Sequence, residues 1–209
     1  MIAAVVAVAV VAIAVVGVAL VRRSTTGPSA CASLPTSLVD GEGVGAIRAE
    51  DVVLHVSVSN AMSGMGATTL VLDRSGNVLA MDAWTQSGVT YRSARLDDAS
   101  RAAWTACLES ADFRGLSNDH TSQQGAAENG RFCAVADASD TVIAAGPATS
   151  AVKVVRVYNI DAAGNRAGGC RLERPLPLTD LGGSTEVLRT TVAASGEEAE
   201  PPDASLTPS

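Results

Sequence analysis

The sequence predicts an α+β fold. An N-terminal transmembrane helix comes first, then one antiparallel β-sheet domain of meanders with one principal packed helix, then a disordered C-terminal tail. Three observations predict it. Ile2 to Val21 is an unbroken run of Ile, Ala, Val, Leu and Gly. Asp51 to Ser59 alternates between apolar and polar positions, and several further runs with strand composition follow it. Between Asp98 and Ala111 the apolar period changes from two to that of a helix.

The apolar run holds 20 residues, and a helix of that length spans about 30 Å, the hydrocarbon thickness of a bilayer. It has no polar face, as a helix of a soluble core would. Residues 1–23 are therefore expected to be a membrane anchor bounded by Ile2 and Val21, with the lipid bilayer as a partner. The n-region is Met1 alone, and the apolar run exceeds that of a secretory signal. Ala30-Cys31-Ala32 is a small-x-small site ten residues beyond the run, and Pro28-Ser29-Ala30 lacks the aliphatic residue of a lipoprotein signal. These departures favour an uncleaved single-pass signal-anchor over a cleaved signal. Arg22 and Arg23 would hold that end of the helix in the cytoplasm. Four cysteines without a C-x-x-C pair, and a Ser-, Thr-, Pro- and Gly-rich stretch from Ser24 to Ser37, point outward instead. The expected location is the cell membrane with the domain extracytoplasmic, because two arginines are a weak bias and large domains translocate despite charge.

Residues 24–45 read as a flexible linker, 46–178 as the α+β domain and 179–209 as a mostly disordered acidic tail. In β order, Val52, Leu54, Val56 and Val58 share one side of the first strand, opposite Val53, His55, Ser57 and Ser59. Asn60 to Ala67 is a loop. Thr68–Leu72 and Val78–Trp84 are strands joined by Asp73-Arg74-Ser75-Gly76-Asn77, in which Asp starts the turn and Gly76 takes a positive φ. Val89–Leu96 is a further strand. In the helix, Trp104, Cys107, Leu108 and Ala111 form the stripe, Asp97 or Asp98 the N-cap, and Gly115 the end, with Phe113 and Leu116 folding back. After a polar loop from Asn118 to Gly130, strands are expected at Phe132–Ala136, Thr141–Ala145 and Val152–Ile160. A second D-x-x-G-N turn, Asp161 to Asn165, leads to a last strand near Arg171.

Composition excludes several functions. The chain of 209 residues carries a net charge of -7, which argues against nucleic acid as a partner. It is 47% hydrophobic with a mean hydropathy of +0.23, yet without its first 21 residues the hydrophobic share is about 41%. The anchor explains the high hydropathy. The six aromatics, Trp84, Tyr91, Trp104, Phe113, Phe132 and Tyr158, fall one per element and are expected to meet in one core rather than to form a ligand cage. Fourteen arginines against Lys153 alone, with abundant Ala, Val and Gly, suggest a high-GC bacterial source.

The cysteines are Cys31, Cys107, Cys133 and Cys170, which allow three complete pairings. Cys133–Cys170 or Cys107–Cys133 are the expected disulfides, with Cys31 joining or staying free; buried thiols in a cytoplasmic domain are the alternative. Spacings of 76, 26 and 37 residues resemble no zinc signature. His55, on the polar face of its strand, and His120, beside Asp119 in a polar loop, are expected to be solvated surface residues. A composite catalytic site at Asp119 and His120 is the minority reading, since no G-x-S-x-G elbow accompanies it. There is no phosphate-binding loop around Lys153, and Gly41 to Gly45 does not follow a strand. The D-x-x-G-N turns lack the alternating oxygen ligands and distal Glu of a calcium loop. The Asp97-Asp98 pair reads as a helix start and Glu197-Glu198 as part of the tail. No catalytic, cofactor-binding or metal-ligating residue is assigned, and no enzyme activity is expected.

The stretch from Leu70 to Leu116 runs hairpin, Ala94-Arg95-Leu96, helix, then Ala111-Asp112-Phe113-Arg114-Gly115-Leu116. This order resembles exported bacterial domains of unknown function and is similar to the emfourin-type metalloprotease inhibitors. The resemblance covers about half of the domain. It departs from the emfourin pattern at Asn60 to Ala67, where that pattern has a Gly-Gly loop, and after Val152, where strand rather than a closing helix is expected. It carries no functional residue across. The reading it leaves is a membrane-anchored extracytoplasmic domain without enzymatic activity that binds a protein partner or an envelope component. The alternative is a protease inhibitor displayed at the membrane surface.

Overall fold

The computed structural model describes residues 29–39, 44, 46–59, 66–84, 88–116, 118–120, 139–146, 153–158, 166–167, 170–171 and 177–201. The Ile2 to Val21 run, the expected strand Phe132–Ala136 with Cys133, the second D-x-x-G-N turn and residues 202–209 lie outside these. For Trp84, Asp119, His120, Tyr158 and Cys170 the backbone alone is described.

The clearest alternation in the chain becomes the middle of the sheet. A short 3-10 turn at Ala49–Asp51 leads into strand β1, Val52–Ser59. β2 (Ala67–Asp73), β3 (Asn77–Trp84) and β4 (Gly88–Arg95) follow as an antiparallel meander, with His55 opposite Val71 and Leu70 opposite Ala80. The β2–β3 turn closes on Asp73, whose Oδ1 accepts from the N–H groups of Ser75 (2.8 Å) and Asn77 (2.9 Å). Gly76 there has φ +89°, the left-handed region that a residue without Cβ enters freely.

Two helices then cross the sheet: α1 (Asp98–Glu109) and the single turn α2 (Ala111–Arg114). Asp97 is the N-cap, its Oδ1 accepting from Ser100 N–H at 2.7 Å. The expected helix to Ala111 stops two residues early because Ser110 leaves helical geometry; its Oγ accepts from Phe113 N–H and starts α2. The chain returns on the far side of β1 with β5 (Asp119–His120), β6 (Asp140–Ala145) and β7 (Lys153–Tyr158). A small ladder pairs β8 (Arg166–Ala167) with β9 (Cys170–Arg171).

The last elements correct the expected tail. Pro177–Ser195 is a 19-residue helix, α3, and Glu197–Glu198 forms β10 on the edge of β4. The domain boundary expected at 178 therefore falls inside a packed helix. Leu181, Ser184, Thr185, Leu188 and Val192 are among its buried positions, spaced i, i+3, i+4, i+7 and i+11. Among the described residues the sheet runs β10-β4-β3-β2-β1-β6-β7-β5, antiparallel except for the two-residue β5–β7 contact. The fold is α+β, with α3 contributing to the same core as the expected helix rather than one helix alone.

One core lies between the helices and the sheet. It joins Leu54, Val56, Leu70, Leu72, Ile143 and Val155 of the strands to Trp104, Cys107 and Phe113, and to Leu181 and Leu188. A smaller cluster of Val52, Val71 and Leu79, with Ile47, Tyr91 and Ala199 against it, lies apart from that core. Val52 belongs here, not with Leu54, because the β1–β2 register shifts between Val52 and Leu54, and such a bulge reverses the alternation. The aromatics thus divide: Trp104 and Phe113 enter the main core, and Tyr91 packs on the second cluster.

The expected flexible linker is also corrected. Cys31 and Leu34 are core residues. Trp104 Nε1–H donates to Pro35 O at 2.9 Å, Ser37 N–H to Ser100 Oγ, and Leu34 N–H to Ser184 Oγ. Leu38 bridges Leu96. The segment 29–39 is a strap held between α1 and α3.

Candidate functional site

Among the described residues a cavity of about 170 Å³ lies between the sheet and α3. Val56 and Val58 from β1, Thr68 and Leu70 from β2, and Thr141 from β6 form its floor. The register explains why they meet: Val58 faces Thr68 on one side and Thr141 on the other, and Val56 faces Leu70. Gly182, Thr185, Glu186 and Arg189 of α3 complete the wall.

Its polar groups differ in what they have left to offer. The Thr185 hydroxyl donates to Gly182 O within its own helix at 2.8 Å. Thr141 is 2% exposed, and its Oγ1 has no hydrogen-bond partner among the described residues. A buried hydroxyl left in this way carries a desolvation cost that a partner would remove. Arg189 uses three of its five N–H donors. Its Nε and one terminal nitrogen donate to both carboxylate oxygens of Glu186, at 2.9 and 2.6 Å, and the other terminal nitrogen to Asp82 at 2.7 Å. The Glu186 hydrogen bonds foremost, with the charges of Glu186 and Asp82, raise the guanidinium pKa above its ordinary range. This cluster of two carboxylates and one cation has a net charge of -1.

Other expected residues fall elsewhere. His55 is buried, not solvated: it is 7% exposed with Nδ1 unpartnered among the described residues. Burial lowers its pKa from the ordinary value. It faces Val71 and Ala144 across the sheet, away from the cavity register. Asp119 and His120 form β5 beside Arg156 and Val157. Lys153 Nζ donates to Leu116 O and to Asn118 Oδ1, tying β7 to the chain after α2. Among the described residues no three His, Cys, Asp or Glu side chains gather as a metal site would need. No described helix is long and apolar enough to cross a membrane, and Ile2 to Val21 is not among the described residues.

Cys107 has a different partner from the one expected. It is bonded to Cys31, with the two Cα atoms 4.8 Å apart. This excludes Cys107–Cys133, while Cys133 with Cys170 lies outside the described side chains. No local signal marks the pairing, because Cys31 stands in a stretch whose composition reads as linker. The cavity was equally hidden, although Thr141 on the core side of an otherwise apolar strand was a sign. No protein family, curated protein or solved structure matches the chain.

Proposed function

We propose that this chain is a single-pass, membrane-anchored extracytoplasmic protein of the bacterial cell envelope. Its α+β domain binds a protein partner or an envelope component and does no chemistry. The observation that carries the reading is the Cys31–Cys107 disulfide. Disulfides persist in oxidising compartments and are rare in the cytosol, and this one closes ten residues beyond the apolar run Ile2 to Val21. In that position it fastens the chain leaving the anchor directly to α1, so pull on the domain is borne by a covalent link. Labelling intact cells with a membrane-impermeant maleimide tests it. Labelling of Cys31 and Cys107 in intact cells only after reductant supports the proposal. Free labelling without reductant, and only in lysate, contradicts both the outward orientation and the oxidised pair.

A second reading, a protease inhibitor displayed at the membrane surface, is favoured by α3. The emfourin-like order ends on a closing helix, and Pro177–Ser195 is a helix packed on the sheet. Absence of inhibition across a panel of metallo- and serine proteases would eliminate it.

A further inference from the structure

We propose that the outer edge of β4 is a strand-addition site for an acidic extended segment of a partner protein, and that residues 197–199 are its intramolecular occupant. This rests on the partner-binding reading and names its surface. The groups that β4 turns outward belong to its odd-numbered residues. Val39 N–H donates to Arg95 O at 2.8 Å and Ala199 N–H to Tyr91 O at 3.1 Å, and antiparallel alternation gives Ser93 and Val89 the same outward aspect. Two segments from opposite ends of the chain therefore patch this edge. The strap covers Arg95, and the C-terminal segment covers Ser93 and Tyr91, with Glu197 opposite Ser93 and Glu198 opposite Arg92. Neither reaches Val89. Continued in the same register, residue 201 would face Val89, and Pro201 has no N–H to give. Val89 is 52% exposed, and among the described residues nothing pairs with it on that side.

The occupant states the chemistry of the partner. Glu197, Glu198 and Glu200 make it acidic, the two residues of β10 are exposed, and the exposed Arg92 faces Glu198. An open edge is a template for another strand, which gains main-chain hydrogen bonds from alternate residues. A segment with an N–H in place of Pro201 pairs Val89, Tyr91 and Ser93, one residue more than the chain's own segment does. Val89 is the foothold from which such a strand displaces residues 197–199. Tethering gives those residues an effective concentration of about millimolar order, so they act as a competitor that keeps the edge closed to weak partners.

The test is fluorescence anisotropy of the full chain in detergent micelles with a labelled peptide of residues 196–202 carrying Pro201→Val. In the chain, Ala199→Pro removes the N–H given to Tyr91 O. That variant is expected to bind the peptide saturably and about tenfold tighter than the wild type, because the tethered competitor is lost. On the same variant the peptide that keeps Pro201 should bind about fivefold more weakly, the worth of one net hydrogen bond. A peptide with lysine at its three glutamate positions should bind about threefold more weakly, since a like charge then faces Arg92. Tryptophan emission checks that Ala199→Pro keeps the native fold, and the wild-type chain supplies a second readout. There, a benzophenone at the valine position of the peptide is expected to crosslink to Val89 and its neighbours on β4. No saturable binding to a natively folded Ala199→Pro chain, equal affinity for variant and wild type, a lysine peptide bound as tightly as the acidic one, or crosslinks elsewhere on the wild-type chain would each overturn the assignment. None of these results alters the thiol labelling that tests the envelope reading, so the two fail separately.

Discussion

Replacing both members of the Cys31–Cys107 pair by alanine releases the strap from α1, and its cost can be worked from the topology. The bond closes a loop with a sequence separation of 76. In the chain-entropy treatment, a loop of that length removes about 15 cal/mol/K from the unfolded ensemble, or about 4.5 kcal/mol at 25 °C. A domain of this size has a total stability of about 5–15 kcal/mol, so the loss is a large fraction of it. The strap has other ties, including the Trp104–Pro35 and Leu34–Ser184 hydrogen bonds, and these keep the native arrangement available without the bond. The expected result for C31A/C107A is a folded protein less stable by about 3–4.5 kcal/mol. Urea unfolding followed by tryptophan fluorescence measures it, since Trp104 is fully buried against the strap. A double variant within about 1 kcal/mol of the wild type, at unchanged denaturant dependence, would refute the reasoning. It would mean that the strap adds no constraint the core does not already impose.

Three further outcomes follow from the same structure. Leu188 is fully buried on α3, so Leu188→Ala should cost about 2–5 kcal/mol in urea unfolding; no change would mean that α3 is not part of the core. A Cβ on Gly196 would lie 2.5 Å from Val192 O and 2.8 Å from Ser93 O, both backbone atoms, so Gly196→Ala should destabilise by about 1–3 kcal/mol, whereas in a solvated tail it would be neutral or stabilising. Burial lowers the folded-state pKa of His55 below the unfolded value near 6.5. The unfolded state therefore binds the proton more tightly, and this contribution is fully present above about pH 6.5 and lost as the pH falls through the folded pKa. The urea midpoint should drop between pH 7.5 and pH 5 by more in the wild type than in His55→Leu; equal drops would contradict the burial of a neutral imidazole.

Much of the sheet was legible because its signals are local. The alternation of Asp51 to Ser59, the Asp73 to Asn77 turn with Gly76, and the Asp97 cap are each contained within a few residues, and each appears where the pattern places it. The bulge near Val53 was not legible, because alternation alone carries no mark of where the register slips. α3 was hidden by weak helix formers: Gly182, Gly183 and a run of Thr and Val lower its propensity. Ser184 and Thr185 also stand where a helical stripe would be apolar. Tertiary packing of Leu181, Leu188 and Val192 overrides that local preference. The strap failed for a related reason. Pro35 and its serines read as a linker, yet Cys31 and Leu34 find partners 76 and 150 residues away. His55 was placed on a polar face that its cross-strand neighbours Val71 and Ala144 make apolar. The cavity is built from β1, β2, β6 and α3 together, so only the oddity of Thr141 among Ile143 and Ala145 could have marked it in the sequence.

Peptide mapping under non-reducing conditions, on the full chain isolated from membranes with its thiols alkylated at lysis, tests the central claim most directly. A crosslinked peptide pair containing Cys31 and Cys107 is the predicted result, with neither residue alkylated until reductant is added. Recovery of both as alkylated linear peptides without reductant, or of Cys107 joined to Cys133, would contradict the strap and the tethered extracytoplasmic reading built on it.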